Sequence, residues 1–156
     1  MARYARLLTA VGWCYSTGMA RLRKFLGLDW QERCLLLQTL LLVISLRAAL
    51  WLLPFKQVNE LLARRATHRR ARCNISKARV ISAIRAASAF IRGSTCLTQA
   101  LAAKYQLERF GLNTQLHLGV TKENGRLLAH AWLQCDGEAI IGGEIAPRFA
   151  PLRAFN

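Results

Sequence analysis

Between Gly111 and Thr114 the hydrophobic period of this 156-residue chain changes from that of a helix to that of a strand, so the fold must accommodate both. Ahead of the change, Leu97, Ala100, Leu101 and Tyr105 recur at helical spacing. Ser94 or Thr95 can cap that helix, and Gly111 stands where a C-terminal stop belongs. After it, Leu116, Leu118 and Val120 alternate with Gln115, His117 and Gly119, a strand with one buried face. Residues 122–125, Lys-Glu-Asn-Gly, supply a turn. A second strand over 127–135 then sets Leu127, Ala129, Ala131 and Leu133 on one face and Leu128, His130, Trp132 and Gln134 on the other. The pattern predicts an α+β fold in which N-terminal helices lead to a helix packed on a small antiparallel sheet.

The first two thirds of the chain read as helices. Residues 31–53 are strongly apolar and end at Pro54, as a helix should. About 20 residues suffice to cross a bilayer, but Gln38, Thr39, Ser45 and above all Arg47 interrupt the run, and an arginine near a membrane centre costs about 2.5 to 3.5 kcal/mol. A buried core helix is therefore expected, with membrane contact the lesser alternative. Residues 55–73 continue as a helix with Phe55, Val58, Leu61 and Leu62 inward that runs out into a basic tract. Val80, Ile84, Ala87 and Ile91 share one face of a further helix that stops at Gly93. Residues 1–28 carry Arg3 and Arg6 before a short apolar run, a faint imitation of a secretory signal that Gly12, Trp13 and Tyr15 weaken. They are expected to form a short amphipathic helix packed on the domain or touching a partner, leaving 29–156 as a single domain with a helical part, 29–93, and a catalytic part, 94–156.

Charge is distributed unevenly. Residues 1–95 hold 17 Lys and Arg against 3 acids, and residues 96–156 hold 6 against 5, within a net charge of +15. The basic half suggests an anionic partner. Its densest cluster is Arg64, Arg65, Arg69, Arg70 and Arg72 with His68, either a solvated helix end or a docking patch for a peptide or protein. Nucleic acid is not expected there, since no interleaved aromatic residues offer stacking platforms. The five cysteines, at 14, 34, 73, 96 and 135, show no CxxC or Cys/His spacing, so no metal is expected. Their odd number argues against a disulfide framework and for a reducing cytoplasm. No Gly-rich phosphate loop is present, and no cofactor is assigned.

Cys96 falls in the first turn of its helix, where unpaired N–H groups and the helix dipole favour thiolate over thiol. If the His130 face packs on that helix, thiol and imidazole meet as a base-activated nucleophile. Either residue could instead be structural, a small buried thiol or a core histidine bonded to a carbonyl. His117, on a strand face without a matching motif, is read as structural. Trp132 shields the pair from water or packs on it, and is grouped with the substrate- and partner-binding residues.

A cysteine opening a helix as SerThrCysLeu, followed some thirty residues later by AlaHisAlaTrp on a strand and an AspGly turn, resembles the papain/transglutaminase-like superfamily. More narrowly, TCLTQALA, FGL, LHLGV, AHAWLQCDG and IIGG, preceded by LLPF, resemble the leader peptidases of lasso-peptide biosynthesis, over about Trp30 to Pro151. The resemblance implies cleavage of a ribosomally made precursor between leader and core, with Cys96 as nucleophile and His130 as general base and then acid. It also implies a separate recognition protein that delivers the precursor, since the chain lacks room for such a domain, and a lasso cyclase, the ATP-using macrolactam synthetase, that takes the freed core peptide. The family pattern includes an acid about a dozen residues after the histidine, where this chain has Gly142 and Gly143. A two-residue turn at Asp136-Gly137 would set Gly143 opposite His130, and one extra residue would set Glu144 there, leaving Glu144 as the nearby acidic candidate. A backbone carbonyl or water could orient the imidazole in its place. Two other activities compete: a thiol acyl transferase on the same scaffold, and a basic membrane- or nucleic-acid-binding protein without catalysis.

Overall fold

The computed structural model describes residues 27, 29–68, 76–91 and 94–155. The expectations for residues 1–26, and the side chains of Arg69, Arg70 and Arg72, lie outside them. Helix α1, Trp30–Leu52, buries Leu36, Thr39, Val43 and Leu46 along one side. It ends at Leu53, whose extended backbone is what a following proline enforces. Its buried Thr39 hydroxyl donates to the Leu35 carbonyl (2.6 Å) and accepts from Gln106 Nε2 (2.8 Å), so a polar pair inside the core is bonded. The core-helix expectation holds for that one side only, because Leu37, Leu41, Ile44 and Trp51 are exposed on the other.

Helix α2, Phe55–His68, turns Val58, Leu62 and Ala66 inward and leaves Leu61 exposed, contrary to the expectation for Leu61. At 100° per residue Phe55, Val58, Leu62 and Ala66 fall within one arc of about 80°, and Leu61 lies about 60° outside it. Helix α3, Lys77–Phe90, is capped by Ser76, which accepts from the Arg79 N–H, and buries Val80, Ala83, Ile84 and Ala87. It ends at Phe90, three residues before the glycine expected to stop it.

Helix α4, Cys96–Arg109, lies between these helices and the sheet. Ala100, Leu101, Ala102, Ala103 and Leu107 are fully buried, and the three alanines let neighbouring backbones approach closely. Lys104 is buried as well. Its ammonium pairs with Glu108, whose carboxylate also accepts from Thr114 Oγ1 at 3.1 Å, tying the base of the helix to the start of the sheet. Gly111, at φ +78°, ends the turn.

The sheet is antiparallel in the order β3-β2-β1-β4, with β1 Thr114–Glu123, β2 Arg126–Cys135, β3 Glu138–Ile141 and β4 Ala150–Phe155. Both hairpins are two-residue turns with positive φ, Asn124-Gly125 (+50° and +77°) and Asp136-Gly137 (+54° and +82°), the geometry that matches strand twist. Leu116, Ala131, Leu133 and Ile141 pack with Val80, Ile84, Leu101 and Leu107 in the core between sheet and helices. The α+β expectation, helices first and a small antiparallel sheet behind the Cys96 helix, is what the chain forms.

Candidate active site

Cys96 is the first residue of α4, with Thr95 as its cap accepting from the Thr98 N–H at 3.3 Å. At that position its own N–H has no intrahelical acceptor, leaving a donor beside the thiol. The side chain is half-buried and packs against the core. Two residues upstream, the Ser94 hydroxyl is buried without a hydrogen-bond partner.

His130 is placed by β2. Its register opposite Gly119, with Trp132 opposite His117, puts all four residues on one face, and Leu116, Leu118, Ala131 and Leu133 occupy the other. The second set faces α4, so the imidazole lies on the outer face. The condition under which thiol and imidazole would meet, packing of the His130 face on α4, is thus met by the neighbouring residues instead. Cys96 and His130 are placed by adjacent layers, the first by the start of α4 and the second by β2. Among the described residues no hydrogen bond joins them.

His130 is buried, 8% exposed, and its Nε2 is 2.8 Å from the carbonyl oxygen of Gly142. A carbonyl only accepts, so Nε2 carries the proton, and in the neutral ring Nδ1 keeps the lone pair. A shift in the β2–β3 pairing explains why this partner is a backbone atom. Cys135 faces Glu138 and Gln134 faces Ala139, but after a bulge Leu133 faces Ile141. Continued upward, that shifted register would bring Glu144 opposite His130. The ladder ends first, because Gly142 at φ +72° turns the chain and aims its carbonyl at the ring. Glu144 is exposed and pairs with Arg85 at 3.4 Å.

Trp132 is buried between two imidazoles, with ring centroids 5.4 Å from His117 and 6.2 Å from His130, nearly parallel to both. Phe149 closes the other side of His130 at 5.0 Å. The close approach requires Gly119, since a Cβ there would come within 2.9 Å of both Trp132 and Phe149. The Nε2 of His117 is buried without a partner. Phe149 was missed in the sequence because it lies in irregular chain after a short 3₁₀ turn, Ala146–Arg148, where no period marks it.

At the base of the sheet, Lys77 bonds Asp136 and holds its carboxyl below the usual carboxylate range; the same bond raises the lysine. Burial pushes the neighbouring Cys135 thiol up. That thiol is thus kept protonated, unlike what a nucleophile needs. Arg64 and Arg65 are exposed on α2. Among the described residues, no three of His, Cys, Asp and Glu gather as a metal site.

A cysteine opening a helix that packs on an antiparallel sheet, with a histidine on the adjoining strand held through its far nitrogen, is the architecture of the transglutaminase/papain-like class. The chain belongs to the transglutaminase-like superfamily, whose profile matches residues 40–154. No curated protein and no solved structure gives a match.

Proposed function

We propose that this protein is a cytoplasmic cysteine peptidase that removes the leader from a ribosomally made lasso-peptide precursor. The observation that carries the reading is His130, whose Nε2–H is committed to the Gly142 carbonyl so that Nδ1 is left as the base, in a chain whose Cys96 opens a capped helix packed on the same sheet. Membership of the transglutaminase-like superfamily supports thiol chemistry, and the motifs around Cys96 and His130 support the lasso-peptide substrate.

In the proposed reaction His130 Nδ1 takes the thiol proton, and the Cys96 sulfur attacks the carbonyl carbon of the last leader residue. The Cys96 N–H donates to the oxyanion, and the unpartnered Ser94 hydroxyl is the nearby side chain free to join it. The imidazolium returns its proton to the leaving amine, which frees the core peptide. Water, deprotonated by the same imidazole, then hydrolyses the thioester and releases the leader. Because the imidazole lies on the face of the sheet turned away from α4, the proposed reaction requires the start of α4 or the upper end of β2 to move on substrate binding, so that thiol and Nδ1 meet. The Gly142 carbonyl takes the orienting role for which Glu144 is the acidic alternative. Trp132 and Phe149 keep water from the ring. Arg64 and Arg65, with Arg69, Arg70 and Arg72, are the proposed docking patch for leader or recognition protein, and a lasso cyclase would consume the freed core.

The test is mass spectrometry of the precursor incubated with this protein and the recognition protein. Separate leader and core masses are expected with wild type and not with Cys96→Ala or His130→Ala. Cleavage by both variants would overturn the assignment, and an acylated amine in place of free leader would make the protein a transferase.

A further inference from the structure

Helix α1 carries apolar side chains on two sides, and the fold uses one. On the outer side Trp30, Leu37, Ile44 and Trp51 recur every seven residues, with Cys34, Leu41 and Ala48 between them. Successive steps of four and three residues run the length of the helix without a polar residue in the series. Trp30 is 76% exposed, Leu41 66% and Trp51 87%. Large contiguous apolar surface on a folded chain marks a place where something binds.

A second helix can seat its side chains between those of such a side, following an average step of 3.5 residues. Steps of four and three are what any one side of an α-helix shows; what favours a protein helix over a bilayer is Arg47 beside the series, since an arginine costs about 2.5 to 3.5 kcal/mol near a membrane centre. Bulky residues at one position of each repeat and small or medium ones at the other leave the knobs and holes such packing needs. Arg47 borders the series on one side, and Gln38 and Ser45 border it on the other. A second copy of this chain would set Arg47 against another arginine or against neutral side chains. The chain's own residues 1–26 bring five Lys and Arg and no acid. Neither complements a surface on a chain of net charge +15.

We propose that the outer side of α1 docks one α-helix of another protein, an amphipathic helix with acidic residues beside its apolar stripe. This interface stands apart from the catalytic reading and is tested without any cleavage assay. The probe is a fluorescein-labelled synthetic peptide of four heptads with Leu at the seam and Glu on both flanks, which cannot pair with itself, titrated with the full-length protein and followed by anisotropy. A second peptide carries Lys on the flanks. The expected result is saturable binding of the Glu peptide, at least tenfold weaker binding of the Lys peptide, and at least a tenfold loss for the double variant Leu41→Asn and Ile44→Asn. Both substituted residues are exposed, so the variant should keep the wild-type melting temperature, and its unchanged charge separates seam packing from general attraction to a basic chain. Equal binding by the variant would overturn the proposal. So would absence of binding to the full chain, a concentration-dependent dimer in sedimentation that the same substitutions abolish, or flotation with anionic vesicles that the Glu peptide does not displace.

Discussion

Replacing Gly142 by alanine tests the link between the turn and the imidazole. At φ +72° an L-residue costs about 1–2 kcal/mol. The new Cβ would also lie 2.8 Å from the Ala131 carbonyl oxygen and 3.0 Å from His130 Nε2. The carbonyl belongs to a paired strand and cannot swing aside, so residue 142 must move and its own carbonyl leaves His130. Losing that hydrogen bond adds about 0.5–1.5 kcal/mol. The sum is about 1.5–3.5 kcal/mol, which at 2–4 °C per kcal/mol for a chain of this size lowers the melting temperature by about 3–14 °C. Gly137→Ala is the control: its φ is +82°, but a Cβ there meets nothing within 4 Å, so only the backbone strain of about 1–2 kcal/mol applies. Thermal denaturation by circular dichroism compares the two, and nitrogen-15 spectra of the histidines report whether His130 keeps its proton on Nε2. Leader cleavage should fall with Gly142→Ala mainly through kcat and stay near wild type with Gly137→Ala. Equal melting temperatures for the two variants, with His130 still protonated on Nε2, would refute the reasoning.

Glu108→Ala should cost about 3–5 kcal/mol, because it leaves the Lys104 ammonium buried without its partner, whereas the double replacement Lys104→Met with Glu108→Leu should cost less than that single change; thermal melts of both decide it. Glu144→Gln should retain cleavage within about threefold, since its carboxylate pairs with Arg85 on the surface, and a loss as large as that of His130→Ala would return Glu144 to the triad. Ser94→Ala should lower kcat by about 10- to 100-fold with little change in KM if its hydroxyl joins the oxyanion donors. Asp136 sits below its ordinary range through Lys77, so the unfolded chain takes up a proton first as pH falls, and that part of the stability is present at neutral pH and lost on acidification. Melting temperatures of wild type and Asp136→Asn should therefore differ at pH 7 and converge as the pH falls below the ordinary carboxylate range. Burial holds the Cys135 thiol protonated, so iodoacetamide at pH 8 should modify it after Cys34 and Cys96, read by peptide mass mapping.

Much of the architecture was legible because it is written in local pattern. The cap before Cys96, the stop at Gly111, and the Asn-Gly and Asp-Gly turns each depend on a few adjacent residues with particular backbone preferences, and all are present. Helix faces were legible within limits. Val58 and Leu62 are buried as expected, but Leu61 is not, since an apolar residue at the margin of a stripe is assigned by its neighbours in space. The outer side of α1 was read as core for a related reason. Composition records that a helix is apolar all round, and only packing shows which side the rest of the chain covers.

For the site, the sequence by itself determined that a cysteine opens a capped helix and that His130 and Trp132 share one face of a strand, because a helix start and a period of two are local properties. It could not determine which face of the sheet α4 would cover, because both faces of β2 carry apolar or aromatic residues at 130–133 and burial is decided by volumes far apart in the chain. Nor could it choose between Gly143 and Glu144 as the residue opposite His130. The tertiary structure gave a third answer: one bulge shifted the register, a glycine with positive φ ended the ladder, and a backbone carbonyl reached the imidazole before any side chain did.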